Sequence, residues 1–395
     1  MRSETPKHLH PLLGKRLVDW VFDTARALGP EPLVVVTSPE TKDALAGDWL
    51  TVAVQTEPRG TADAVAAARG VLGGFQGDLL VLSGDSPLLT PELLQGLVAT
   101  QRESRAAATV LTFEPARPLP YGRVVRDGEG NVRAIVEERD ATEQERAIRE
   151  LNSSTYVFDA AELWGALDGL KPDNAQGELY LTDTVRALVD AGKSVATYKS
   201  DDPEAPVGIN TRVELAEAAG VLRDRINERH MLAGATIVDP RATWIDPQVE
   251  LEPDAVVHPF TVLRGATRVR RGAEVGPHVV AIDAEIGERA LVGPFCYLRP
   301  GTVLEAGAKA ALSSSSRIPG SEKGQRCHTC PTSATPRSAR RRTSAPARSP
   351  LTIHTCRVDP RGGRKSAATS GPASTMPSLR QSRSATTRGS RSARS

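Results

Sequence analysis

Between Leu251 and Leu304 aliphatic residues recur every six positions: Leu251, Val257, Leu263, Val269, Val275 and Ala281. After one step of five, Ile286, Val292, Leu298 and Leu304 resume the period. A second series, small or β-branched, runs four residues behind the first: Ala255, Thr261, Thr267, Ala273 and Val279, then Ala290, Cys296, Thr302 and Ala308. A helix repeats near 3.6 residues and a half-buried strand at 2, so neither accounts for six. A parallel β-helix does. Each hexad lays down one flat side of a triangular coil, with its aliphatic residue inward and its small residue near the corner. Ten inward positions in register predict a scaffold, and by themselves name no chemistry.

The stretch before the hexads reads differently. PLVVVTS (32–38) and DLLVLSG (78–84) are short apolar runs ending in small polar residues, as buried parallel strands do. Helical patterns surround them: RLVDWVFDTARAL, GTADAVAAARGVL and PELLQGLVATQRES. AAATVLTFE, a hairpin around Asp127-Gly128-Glu129-Gly130, STYVFDA and ATYKS add strands, with YLTDTVRALVDAG a helix. This predicts an α/β sheet with Rossmann-like winding, whose ligands sit at the carboxyl ends of strands. TRVELAEAAGVLRDRINERHML then predicts a linker helix. The expected domains are 1–210, 211–233 (linker helix), 234–308 (β-helix) and a tail at 309–395.

The tail differs in charge. Residues 309–395 hold 18 basic and 2 acidic residues, against 32 and 46 in 1–308. It is rich in Ser, Arg, Pro and Ala, too poor in large aliphatics to offset its ordering entropy, and predicts disorder. A basic arm can bind nucleic acid, but no aromatic residues interleave for stacking. Cys327 and Cys330 form a C-x-x-C with only His328 and His354 nearby, which reads as chance thiols rather than zinc ligands. Four cysteines in all make no disulfide framework. With no apolar run long enough to span a bilayer and no signal peptide, the expected location is the cytoplasm.

Four local patterns can carry chemistry, and each has a plainer reading. Asp85, in VLSGDSPLLT, follows a buried strand and could hold Mg²⁺, or could serve as a turn or cap residue. Gly60-Thr61, in QTEPRGTADAV, offers backbone N–H groups to a base or phosphate, or is an ordinary loop and cap. Asn210, in VGINTR, could add an amide oxygen to a metal, or could cap the following helix. Lys7, in TPKHLH, could place a charge on a phosphate, or could be a solvated surface lysine. His8 and His10 lack a third ligand for a metal site.

Taken together, TPKHLHPLLGKRLVDWV, VQTEPRGTADAV, LSGDSPLLT, YGRVVRDGEGNVRAIVEERDAT, IRELNSSTYVFD, NAQGELYLTD and VGINTRVEL, followed by the hexads and CYLRPGTVLEAGA, resemble one family in order and spacing. It is the bifunctional GlmU-type family, which joins a UDP-N-acetylglucosamine pyrophosphorylase to a left-handed β-helix glucosamine-1-phosphate N-acetyltransferase in cell-wall precursor synthesis. The resemblance spans residues 1–308. It implies that Gln55, Gly60 and Thr61 contact the uridine nucleotide, that Asp85 and Asn210 hold Mg²⁺, and that Gly122, Glu137 and Asn152 hold the amino sugar. Lys7 matches the lysine of the family's Pro-Lys signature, which contacts phosphate. Arg299, in LRPG, matches a sugar-binding arginine of the acetyltransferase site. The implied substrates are UTP and N-acetylglucosamine 1-phosphate.

Two departures shape the expectation. The family's Gly-rich loop after its first strand, L-A-A-G-x-G-T-R-M, has no counterpart, since the chain starts where that motif's Met would fall. Past Ala308 the hexads, the acetyltransferase histidine and its Gly-Ala-Gly-Thr segment are not recognisable. The expectation is a truncated N-terminus and a frameshift near residue 308. Acetyl-CoA would then be a cofactor only with an intact acetyltransferase domain, and the shortened helix argues against the family's homotrimer. The alternatives are a thymidylyl- or guanylyltransferase with a β-helix, or an inactive fragment whose tail binds nucleic acid.

Overall fold

The computed structural model describes residues 1–311 and, as backbone, the strand Ile353–Arg357. The α/β part is built on a nine-stranded sheet. Its main path runs Val195–Lys199, Ala108–Phe113, Leu151–Asp159, Asp78–Ser83, Ile353–Arg357, Leu33–Thr37 and Thr51–Val54. The hairpin strands Arg123–Arg126 and Val132–Val136 branch from Leu151–Asp159.

The apolar runs are continuous because both faces of the sheet are covered. Val34, Val36, Leu79 and Val81 point to one side, with Val65, Leu163 and Val185 from helices Thr61–Ala67, Ala160–Asp168 and Asp183–Asp190. Leu33, Val35, Leu80 and Leu82 point to the other, against Val21 and Phe22 of helix Leu17–Ala27 and Leu94 and Leu97 of helix Pro91–Ser104.

The winding is mixed rather than purely parallel. Leu151–Asp159 runs antiparallel to both Asp78–Ser83 and Ala108–Phe113. Periodicity reports burial and not strand direction, so the sequence reading missed this. Ile353–Arg357 pairs antiparallel with Leu33–Thr37 on one side and Asp78–Ser83 on the other. It falls inside the segment expected to be disordered. The physical reason is local: LTIHTCRV is a β-branched run in that segment, and the slot offers backbone partners on both edges. Cys327, His328 and Cys330 lie outside the described residues.

Helix Arg212–Leu232 follows, capped by Thr211, whose hydroxyl accepts from Glu214 N while Glu214 accepts from Thr211 N. The hexads then wind into three parallel sheets stacked strand on strand, with successive strands near 18 residues apart as in Val256–Val257 over Glu274–Val275. This is the expected β-helix, and it continues through Lys309–Ala310. Nine of the ten inward residues, from Leu251 to Leu298, are buried; Leu304 is half-buried. One residue per hexad turns the corner with φ near +60°, and several are not glycine: Asp254, Phe260, His278, Arg289 and Phe295. Phe260, His278 and Phe295 stack there, ring over ring, at 4.8 and 4.9 Å.

The two parts pack directly. Leu13 and Trp20 touch the β-helix core. Gly14, at φ +70°, lies so close to Asp246 that a Cβ would fall 2.5 Å from its carboxylate. Among the described residues no helix is long and apolar enough to cross a membrane.

Candidate functional site

Asp85 emerges two residues after Asp78–Ser83 ends, at that strand's carboxyl end. It is buried, and it is not a cap: Thr90 caps the next helix, accepting from Leu93 N at 3.3 Å. Ser83 Oγ donates to Asp85 Oδ1 at 2.6 Å. On the other oxygen sits the Lys7 ammonium, which also donates to Asn210 Oδ1 at 2.9 Å. Burial pushes the Asp85 carboxyl up, but the Lys7 charge, its hydrogen bond and that of Ser83 outweigh it, leaving the group below the usual carboxylate range.

Asn210 does not cap the linker helix either, because Thr211 does. Its backbone N–H donates to Glu214 at 2.6 Å, so the capping box also fixes Asn210. Ile209 N donates to the Asp85 carbonyl at 2.9 Å, tying the two segments backbone to backbone. Gly208 permits this approach, since a Cβ there would lie 2.9 Å from Asp85 Oδ1. Gly208 N donates to the Tyr121 hydroxyl at 2.8 Å, and burial pushes the Tyr121 phenol well up.

Beside this cluster opens a cavity of about 910 Å³, lined among others by Asp85, Tyr121, Gly122, Glu137 and Asn210. Asn152 N donates to the Gly122 carbonyl at 2.9 Å, and Asn152 Nδ2 donates to the Tyr156 hydroxyl at 2.7 Å. Glu137 accepts from Thr182 Oγ1 at 3.1 Å. Burial raises its pKa; the Thr182 bond opposes this, and the carboxylates of Asp183 and Asp140 add to it.

Gln55, Gly60 and Thr61 form a separate cradle. Gln55 Nε2 donates to the Gly60 carbonyl at 3.1 Å and to Asp63 at 2.8 Å. Thr61 Oγ1 accepts from Leu181 N at 2.8 Å, and Ala62 N donates to the Leu179 carbonyl at 2.9 Å. Gly60, at φ +123°, would place a Cβ 2.3 Å from that carbonyl oxygen, so no other residue fits. The segment carrying Thr182 thus joins the cradle to the cavity.

The fold therefore brings Lys7 into direct contact with both Asp85 and Asn210. It sets Gly122 and Glu137 along the same cavity, with Asn152 buried behind Gly122. Arg299 is exposed on the β-helix. Ser83, Tyr121, Thr182 and Glu214 were missed as functional candidates, although each lies within or beside a segment already singled out. His8 is buried at 3 % exposure with Nε2 unpartnered, and among the described residues no three His, Cys, Asp or Glu side chains group as a metal site.

A mixed α/β sheet with a carboxylate at a central strand end, a glycine cradle and a neighbouring β-helix defines a nucleotidyltransferase joined to a hexapeptide-repeat domain. Residues 1–155 match the MobA-like NTP transferase domain. The bifunctional protein GlmU of Streptomyces avermitilis is 46% identical over 332 residues, covering 78% of this chain and 69% of that protein. That of Brevibacillus brevis is 41% identical over 327 residues (78% and 71%), and that of Streptomyces coelicolor 44% over 327 (77% and 68%). The chain belongs to the bifunctional GlmU family and is a nucleotidyltransferase.

Proposed function

We propose that the chain transfers uridylyl from UTP to N-acetylglucosamine 1-phosphate, releasing pyrophosphate, and that its β-helix is the remnant of an acetyltransferase. The observation that carries this reading is that Lys7 joins Asp85 and Asn210, which line the same cavity as Gly122 and Glu137. Family membership favours it over the thymidylyl and guanylyl alternatives.

The reaction needs no protein nucleophile. A phosphate oxygen of the sugar attacks the α-phosphorus in line, and the bond to the β-phosphate oxygen breaks. Catalysis is then positioning and charge stabilisation. Gln55, Gly60 and Thr61 would hold the base, with Gln55 already oriented by Asp63. Glu137 and Asn152 would hold the amino sugar, and Lys7 would meet phosphate charge. The donor set fits Mg²⁺, being two hard oxygens, from Asp85 and Asn210, that already share a cation. Bound there, Mg²⁺ would supply charge to the phosphate oxygens. In this reading residues 1–210 are the transferase, 211–233 the linker and 234–308 the β-helix. Pyrophosphate release should require both substrates and Mg²⁺. Equal release with dTTP or GTP would overturn the uridylyl assignment.

A further inference from the structure

The Lys7 side chain does something that a phosphate-binding lysine has no need to do. Its ammonium bridges Asp85 and Asn210, the two residues read above as metal ligands. It sits against a carboxylate that is 8 % exposed and whose second oxygen is taken by Ser83. The site offers one negative charge and one neutral amide oxygen. One ammonium balances that charge completely. A divalent cation added beside the ammonium would put three positive charges against one negative, which is unfavourable.

We propose that Lys7 is the resident counter-cation of the metal site. It holds Asp85 and Asn210 together, and a divalent cation enters by displacing it. The exchange is unfavourable until an anion is present to receive the ammonium. The polyphosphate of the nucleotide is such an anion, so metal and nucleotide bind cooperatively and Lys7 moves from the ligands to the phosphates. The same side chain then serves two partners in turn. The 3-10 turn Lys7–Leu9 carries it, and His8 in the same turn is buried.

The proposal rests on the reading of Asp85 and Asn210 as ligands, and the experiment separates the two. Mn²⁺ alone is titrated into the full chain without nucleotide, and free Mn²⁺ is followed by electron paramagnetic resonance. Asp85→Asn should lose the site; Mn²⁺ binding equal to the parent would sink the metal-site reading itself. Lys7→Met and Lys7→Gln should bind Mn²⁺ about tenfold or more tightly than the parent, the effect of removing one competing charge. Mn²⁺ affinity unchanged or weakened in both, with Asp85→Asn still losing the site, overturns the resident-cation role alone. Thermal unfolding gives a second readout that does not need activity. Without Lys7 the Asp85 charge is uncompensated, so the variants should melt lower than the parent, and Mn²⁺ should raise their melting temperature by more. Variants that Mn²⁺ stabilises no more than the parent, or fails to restore, count against the proposal.

Discussion

At the scale of single residues, the candidate site depends on close approach. Asp85 and Asn210 lie 125 positions apart in sequence and meet because residue 208 has no side chain. Gly208→Ala should push the 207–210 segment off the carboxylate. Misplacing reacting groups by a fraction of an ångström to one ångström costs on the order of 10²-fold. We expect kcat/KM to fall by about that factor while the melting temperature changes little, measured by pyrophosphate release and calorimetry. Unchanged turnover would mean that the close approach of the 207–210 segment to Asp85 is not needed. The residue types of this site were legible in LSGD, VGINTR and TPKH. The choice between metal ligand and helix cap was not, because Asp and Asn suit both tasks locally. The structure excludes the cap, because Thr90 and Thr211 take it.

Elements show the same division. The Leu33–Thr37 and Asp78–Ser83 strands were readable because a sheet covered on both faces demands unbroken apolar runs. Thr51–Val54 was not read; it is short, at the sheet edge, and largely exposed or half-buried. The hexads announced the β-helix, but not every position that takes a positive φ. Glycines hold some of these, whereas Phe260, His278, Arg289 and Phe295 hold others and give no signal of a positive φ. The linker helix was legible from its spacing, and its start carries a structural consequence. Thr211→Ala removes the hydroxyl that caps Glu214 N, at a cost of about 1 kcal/mol. Because Glu214 also accepts from Asn210, the change should raise the Mg²⁺ concentration needed for half-maximal rate as well as lower the urea midpoint. A midpoint shift with no change in Mg²⁺ dependence would separate the cap from the site.

For the whole molecule, stability should turn sharply on acid. His8, beside the site, and His230, at the end of the linker helix, are both buried with Nε2 unpartnered. Burial, aided by Lys7 and Arg16 at His8 and by Arg229 at His230, lowers each pKa from 6.5 to about 4. The folded state thus binds fewer protons than the unfolded chain between those values. The stability they contribute is fully present above pH 6.5 and is lost as pH falls from 6.5 through 4, at about 3 kcal/mol each over the full window. The melting temperature should drop between pH 7.5 and pH 5, and His8→Phe with His230→Leu should flatten the profile. An equally steep profile in that double variant would assign the acid sensitivity elsewhere. The two histidines lie in different parts of the chain, and the contacts of Leu13, Gly14 and Trp20 with the β-helix join those parts mechanically. No sequence period reports such a contact.

By itself the sequence determined the β-helix, the buried strands, the linker helix and the family, because periodic burial and ordered motifs leave their mark residue by residue. The tertiary structure decided the strand directions, the docking of Leu13, Gly14 and Trp20 on the β-helix and the meeting of Lys7 with Asp85 and Asn210. The reason is physical: burial is a property of each residue along the chain, whereas direction, docking and charge pairing belong to pairs brought together only by folding. Lys7 shows the difference most directly. Its motif pointed to phosphate, and only the fold set its ammonium between the two candidate metal ligands.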